Sequence, residues 1–238
     1  MSKVFLTAAW NDLIMANYEV DPAILIPYLP KHTELDFFEG KGYVSLIGFM
    51  FNNTKVLGFK IPFHVNFEEV NLRFYVKHNV NGESRRGVVF IKEIVSKPAI
   101  SFFANTLYNE NYETMNTAYY NSAEAKNKRH TYLWGKDKSN LNSISFLTSG
   151  KKFPLQKGSK EEFITEHYWG YAGDNKETTE YAVKHPAWNI LEYIDHSIDC
   201  DFSDVYGPEW SFLQNRKPSS VFMAEGSDIV ICKGKKII

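Results

Sequence analysis

The sequence predicts a single domain over residues 1–238, of the α+β class, mostly antiparallel strand with a few peripheral helices. Aromatic residues make up 16% of the chain, with 18 Phe, 14 Tyr and 5 Trp, and aromatics favour pleated, half-buried surfaces. Strand-length runs of apolar or alternating character recur from end to end, punctuated by turn residues. Helical periodicity is confined to short segments.

Trp10 to Val20 reads as a strand feeding Asp21-Pro22, a helix opening for Ala23 to Leu29, which Pro30 stops. Leu35 to Glu39 is a brief strand, turned by Gly40-Lys41-Gly42 into Tyr43 to Phe51, apolar enough to be covered on both faces. Asn66 to His78 alternates, so that Val70, Leu72, Phe74 and Val76 point one way and Glu69, Asn71, Arg73 and Tyr75 the other. Asn79 to Gly82 turns the chain into a returning strand, Arg85 to Ser96. Pro98 opens a helix, Ala99 to Tyr108, with Ile100, Phe103, Ala104 and Leu107 on one face. Thr114 to Ser122, Arg129 to Trp134 and Ser143 to Thr148 read as a meander. Ser159 and Glu162 form a capping-box pattern for a helix over Lys160 to Glu166. Tyr168 to Tyr171, Glu177 to Lys184 and Trp188 to Ile198 are further strands, Pro218 to Phe222 a helical turn and Ile229 to Cys232 a closing strand. The segment from Gly150 to Lys160 is loose but too short, and too flanked by aromatics, to be a domain boundary.

Composition narrows the functional classes. The net charge is −1 and the basic clusters, Lys126, Lys128, Arg129 and Lys233, Lys235, Lys236, are short. Nucleic acid is therefore not expected as a partner, because phosphate binding needs a surplus of Lys and Arg. Two cysteines, Cys200 and Cys232, suggest reduced thiols. No apolar run resembles a signal peptide or approaches the roughly 20 residues of a membrane span, so a soluble, cytoplasmic protein is expected, without membrane association.

Several runs carry a family resemblance: Val20-Asp21-Pro22, Tyr43-Val44-Ser45-Leu46, Ile61-Pro62-Phe63-His64, Glu69-Val70-Asn71-Leu72-Arg73 and Arg86-Gly87-Val88-Val89-Phe90. They continue with Thr165-Glu166-His167-Tyr168-Trp169-Gly170-Tyr171 and Val221-Phe222-Met223-Ala224-Glu225-Gly226. Together they resemble the YqjF-like family of uncharacterised bacterial proteins, which is related in fold to acetoacetate decarboxylase. The resemblance implies a closed or cone-like antiparallel β-barrel around a cavity. Fold does not carry function with it. The decarboxylase works through a lysine whose amine is poised for Schiff-base formation by a neighbouring lysine. If Glu93 matches the glutamate of the strand before that pair, Ala99 and Ile100 stand at the lysine positions, and Lys97 precedes Pro98 without a lysine beside it. Ser45 and Val56 stand where the acidic partners belong. The resemblance therefore implies the fold without Schiff-base chemistry.

Three groups of residues are candidates for ligand binding. Glu69, Asn71, Arg73 and Tyr75 share a face that looks either into a cavity or into solvent, and Arg is suited to gripping a carboxylate or phosphate. Glu93 alternates with Val89, Ile91 and Val95 and would pair with Arg73 on the neighbouring strand, either as an acid/base unit or as a buried ion pair. Glu166, His167 and Trp169, with Tyr168, offer proton transfer and stacking, and His185 approaches them if the strands form a hairpin; the alternative is core packing. The seven histidines are scattered and the cysteines distant, so no metal site is expected; no glycine-rich phosphate loop or nucleophile elbow appears, and no cofactor is expected.

The expected function is an enclosed, aromatic-lined pocket for a small, possibly anionic molecule, with Arg73 at its border and within salt-bridge distance of Glu93 or Glu69. The alternative is a lyase or other enzyme acting on a small oxo or carboxylic acid without Schiff-base chemistry. A structural or interaction module is the third class, and would require an exposed apolar patch.

Overall fold

A computed structural model describes residues 3–237. In chain order the elements are β1 (Val4–Val20), α1 (Pro22–Leu25), β2 (Glu34–Leu35), β3 (Gly42–Val56), β4 (Phe67–Val80), β5 (Glu83–Val95), α2 (Pro98–Tyr108), β6 (Tyr112–Thr114), β7 (Asn116–Glu124), β8 (Asn127–Asp137) and β9 (Asn140–Thr148). They continue with β10 (Lys152–Pro154), α3 (Lys160–Thr165), β11 (Trp169–Gly173), β12 (Thr178–Lys184), β13 (Asn189–Leu191), β14 (Asp195–Asp199), α4 (Phe202–Tyr206), β15 (Ser220–Cys232) and β16 (Lys235–Ile237). Short 3₁₀ segments follow α1 and α4, at Ile26–Tyr28 and Pro208–Leu213.

Twelve strands form one large sheet and four, in the order β14-β9-β8-β7, a smaller one. Within the large sheet seven strands close a ring, β1-β3-β4-β5-β11-β12-β15, because β15 pairs with both β12 and β1. The ring draws on strands before and after Gly150. It is mixed rather than wholly antiparallel: β5 pairs in parallel with β11 through Trp169 and Gly170, and with β6 through Glu93 to Val95.

The alternation on β4 separates two cores. Val70, Leu72, Phe74 and Val76 pack between the ring and the smaller sheet, against Tyr132, Trp134, Ile144 and Phe146. Leu13, Ile47, Phe49, Phe51, Tyr75 and Val88 form the core inside the ring. Both faces of β3 are buried, as its apolar run predicts. The layers meet closely at Gly48, where a Cβ would stand 2.7 Å from the Tyr132 ring. Tyr132 Oη also donates to the Asp12 carbonyl (2.9 Å), at a left-handed residue (φ 57°) where the β1–β3 register shifts.

Four local expectations are corrected. Pro218 to Phe222 is not helical; it leads into β15, whose start is fixed by pairing of Ser220 and Val221 with Asn17 and Ala16. The helical chain lies earlier, in α4 and Pro208–Leu213. Trp188 to Ile198 splits into β13 and β14, which belong to different sheets. At α3 the Ser159 hydroxyl accepts from Glu162 N–H (3.1 Å) as a cap should, but Glu162 Oε2 accepts from Gly158 N–H (2.6 Å) rather than from Ser159.

The fourth correction matters for function. Leu72 faces Lys92 across the β4–β5 ladder, but Arg73 faces Phe90, so Ile91 is an extra residue. This one-residue bulge reverses the phase of β5. Val89 and Ile91 join the outer core, whereas Glu93 and Val95, after the bulge, lie opposite Asn71 and Glu69 on the inner face. Glu93 therefore does not share a face with Val89 and Ile91. Without the bulge it would be driven into the apolar layer between the sheets.

Candidate functional site

Two adjoining cavities occupy the inner face. The larger, about 390 Å³, is a cleft between α2, the β3–β4 connection and the ends of β1 and β15. Its walls are apolar, including Phe51, Phe67, Ile100, Phe103, Ala104 and Leu107. Its polar floor is Glu93, Glu110, Tyr112 and Tyr181. It is not enclosed: Leu57 and Leu107 at its rim are 65% and 59% exposed. The smaller, about 70 Å³, lies further inside and is bordered by Glu69, Asn71, Arg73, Glu93, His167 and His185, among others. The two share Phe51, Glu93, Tyr112, Tyr181 and Ile231, so Glu93 stands where cleft meets chamber.

Three glutamates converge there. Glu69 and Glu93 are 2% and 3% exposed and come from β4 and β5. Glu110 is placed by the end of α2, where Asn109 adopts the left-handed conformation (φ 59°) that closes a helix. Glu69 accepts from Asn71 Nδ2 (3.0 Å) and Tyr112 Oη (2.9 Å). Glu110 accepts from Tyr181 Oη (2.6 Å). No donor reaches Glu93 Oε2, and Asn71 Oδ1 is also unpartnered. The Glu93 carboxyl meets that of Glu110, and two acids can bond only by sharing a proton.

The electrostatics follow from this crowding. Burial pushes Glu69 and Glu110 up to about 7. Burial, then the charges of Glu110 and Glu69, push Glu93 well above the usual carboxylate range. Among the described residues none of the three has a Lys, Arg or His nitrogen within salt-bridge distance. No group of His, Cys, Asp or Glu among these residues is disposed to hold a metal ion.

Arg73 borders the small chamber rather than the main cleft, and it pairs with neither Glu69 nor Glu93. Its Nη2 donates to the Ile164 carbonyl (3.2 Å), its guanidinium lies 5.6 Å from the Tyr75 ring centre, and its Nε has no partner. Ile164 is in the last turn of α3, where carbonyls lack intrahelical donors and attract a cation. The amide of Asn71 takes the place expected for the Arg73 guanidinium on Glu69.

His167 belongs to a second cluster that sequence reasoning reached only in part. Its Nε2 meets Asp36 Oδ2 (3.1 Å), which also accepts from Arg86 Nε (2.6 Å). Burial works against ionisation of Asp36, but the bonds from His167 and Arg86 outweigh it and hold its carboxyl below the ordinary range. Burial lowers His167 to about 4 against the pull of Asp36. The imidazole is thus neutral near pH 7; Nε2 donates to Asp36, and Nδ1 is an acceptor without a partner.

The remaining candidates divide. Tyr75 and Glu166 line neither cavity. The Tyr75 hydroxyl bonds Ser45 Oγ (2.6 Å), which meets Asn17 (2.6 Å), while its ring packs on His167 and Phe163. Glu166 accepts from the Tyr168 hydroxyl. Trp169 borders the chamber, and its ring carries the Arg85 guanidinium at 4.6 Å. The hairpin of β11 and β12 does bring His185 to Tyr168 (4.8 Å), stacked on Trp188 (4.2 Å). Glu110, Tyr112, Tyr181 and Asp36 were not anticipated; of these only Glu110 had a local signal, the Asn109 helix stop before it.

No lysine among the described residues lines either cavity. Ala99 and Ile100 line the cleft, Lys97 caps α2, and Lys92 turns outward to Glu113 (2.5 Å) and the Val205 carbonyl (2.6 Å).

Among solved structures the chain is similar to acetoacetate decarboxylase from Legionella pneumophila, at 14% identity and a TM-score of 0.67, covering 99% of this chain and 88% of that one. It is similar to the enduracididine biosynthesis enzyme MppR, solved with pyruvate, at 10% identity and a TM-score of 0.67, covering 99% and 91%. It is also similar to an acetoacetate decarboxylase-like enzyme from Sphingomonas wittichii, at 10% identity and a TM-score of 0.65, covering 99% and 94%. At such identities the likeness shows the fold. In sequence the chain is 23% identical over 204 residues to the uncharacterized protein YqjF of Bacillus subtilis, 83% of this chain and 80% of that protein. The model of the DUF2071 family, described as an uncharacterized conserved protein, matches residues 7–228, and the chain belongs to that family.

Proposed function

We propose that this protein binds a small molecule in the cleft under α2, with the apolar body against Phe51, Phe67, Ile100 and Phe103 and a polar end at Glu93 and Glu110. The observation that carries this reading is the contrast inside one cavity, apolar walls over a floor of buried acids. A volume of about 390 Å³ suits a compact ligand. A small molecule, rather than nucleic acid or a membrane, is the partner that this concave site fits. No helix among the described residues is long and apolar enough to cross a membrane. N-phenylnaphthylamine, a neutral apolar fluorophore, tests the reading. Its emission should rise on binding, and Ala104→Trp, which fills the cleft from a half-buried position on α2, should abolish the rise. Unchanged dye binding in that variant would sink the proposal.

A second reading is favoured by Arg73 and His167 on the inner chamber. It is an enzyme acting on a small oxo or carboxylic acid without a Schiff base, the acid meeting Arg73 and the neutral imidazole serving as base. The anionic head group expected for the ligand suits only this chamber, because the cleft floor is itself acidic. The likeness to MppR, solved with pyruvate, supports the substrate class by analogy of fold alone. Borohydride trapping with a β-keto acid should leave Lys92 and Lys97 unmodified; an adduct on either would defeat both the fold-based alignment and the exclusion of Schiff-base chemistry.

A further inference from the structure

The reading of the cleft as a ligand site leaves the charge of the ligand open, and the inference below rests on that reading. Three carboxyls meet at the inner end of an apolar cavity, two of them on side chains at least 97% buried. Every fixed bond made to Glu69 and Glu110 comes from a neutral donor: Asn71, Tyr112 and Tyr181. Glu93 borders both cavities, and its Oε2 receives none. The nearby guanidinium of Arg73 is bonded to a helix carbonyl instead. Buried acids are ordinarily matched by a cation or by a full set of donors, and this group has neither.

We propose that the cleft takes an amphipathic primary amine, its apolar part under α2 and its ammonium on Glu93 and Glu110. An ammonium offers three donors and no acceptor, which answers unpartnered carboxyl oxygens that no neutral group satisfies. A quaternary ammonium has no N–H and would leave Glu93 Oε2 unbonded. A carboxylate would add a fourth acid to the three. Before an amine binds, the Glu93–Glu110 contact holds a proton, and the ammonium replaces it, so binding expels a proton.

The titratable and charged groups facing Glu93 are Glu69 and Arg73 on β4, Glu110 and Tyr112 after α2 and Tyr181 on β12. Tyr108 on α2, His167, His185 and, at the cleft mouth, His64 complete the set. Glu69 and Glu110 shed protons around pH 7, and an alkylammonium stays charged up to about pH 10. Amine affinity therefore rises between about pH 6 and about pH 8 as the acids ionise.

Calorimetry with 4-phenylbutylamine, 4-phenylbutanol and 4-phenylbutyrate tests this on the intact protein, since the three share one apolar body. At about pH 8 the amine should bind at least about tenfold more tightly than the alcohol, and the butyrate most weakly. The preference should shrink at about pH 6, and heats in two buffers of different ionisation enthalpy should report proton release. Glu93→Gln should narrow the gap between amine and alcohol. If the alcohol and the amine bind alike, or the butyrate binds best, the inference fails and the apolar cleft reading stands. If none of the three binds, both fail. The wild-type comparison alone decides these outcomes, whether or not the Gln variant folds.

Discussion

Two ionisable clusters border the inner chamber, and they are satisfied in opposite ways. Asp36 has a cation, Arg86, at 2.6 Å and a neutral imidazole at 3.1 Å, and its charge is held in place by them. Glu69, Glu93 and Glu110 have neutral donors and each other. The first cluster is matched in charge and ties the residue after β2 to β5 and to the segment before β11, leaving only His167 Nδ1 without a partner. The second is unfinished, because its charges are matched only when protons or a ligand supply what the chain lacks. The difference teaches where to look for function in a family without an assigned reaction. Burial of acids alone does not mark a site, but burial without counter-charge beside an open cleft does.

The comparison can be broken most severely at its matched end. Asp36→Ala removes the acceptor common to Arg86 and His167 and should cost about 3 kcal/mol by urea denaturation, with Arg86, a third exposed, recovering some solvation. A loss below about 0.5 kcal/mol would show that the cluster is ornamental to stability.

The pH profile of the wild-type protein sharpens the contrast next. His167 is depressed to about 4 in the fold, whereas an unfolded histidine titrates at about 6.5. Its contribution is present above about pH 6.5 and is lost as pH falls through about 4, a change of roughly 3 kcal/mol. The glutamates act with the other sign. Their folded values are raised, so their contribution is full below about pH 4.3 and drains as pH rises through about 7. The two windows overlap, and there the three glutamates outweigh the one histidine, so these groups together should lower stability as pH rises from about 5 towards about 7. A curve that keeps rising beyond about pH 7 would contradict an unmatched acid cluster.

Glu93→Gln isolates the alkaline limb. A neutral amide at a position without a counter-ion should stabilise the protein by on the order of 1–2 kcal/mol at about pH 8 and leave its acid stability unchanged. Destabilisation at that pH would mean that the ionised form has a partner after all.

The smallest effect is expected at Arg73. Had it been paired with a buried acid, Arg73→Met would cost roughly 3–5 kcal/mol. Its single bond to the Ile164 carbonyl, with the stem packing retained by Met, implies about 1 kcal/mol in thermal or urea unfolding.

Much of the fold was legible because it depends on local period. The alternation from Glu69 to Val76 assigned each side chain of β4 to its correct face, and the apolar run from Tyr43 to Phe51 announced a strand covered on both sides. The Pro98 opening and the pattern of α2 were readable for the same reason, each residue answering to its own neighbours. Of the site, the shared face of Glu69, Asn71 and Arg73 was readable, but not that it looks inward, and the approach of His185 to Tyr168 was readable once a hairpin was assumed.

The rest depended on contacts between segments far apart in sequence. A bulge at Ile91 has no composition that marks it; it lies between the stretch of β5 that pairs with β11 and the stretch that pairs with β6, and it decides that Glu93 faces the cavity. The assembly of Glu110 with Glu69 and Glu93, and of Asp36 with His167 across 131 residues, follows from ring closure. The partner of Arg73 was decided by where α3 ends, since its Nη2 reaches a helix-end carbonyl rather than Glu93 or Glu69, the latter engaged by Asn71 and Tyr112. The sequence by itself determined which side chains share a strand face, because that is a matter of backbone geometry over two residues. Only the tertiary structure decided which charges meet, because that depends on the register between strands and on which donor arrives first at a buried oxygen.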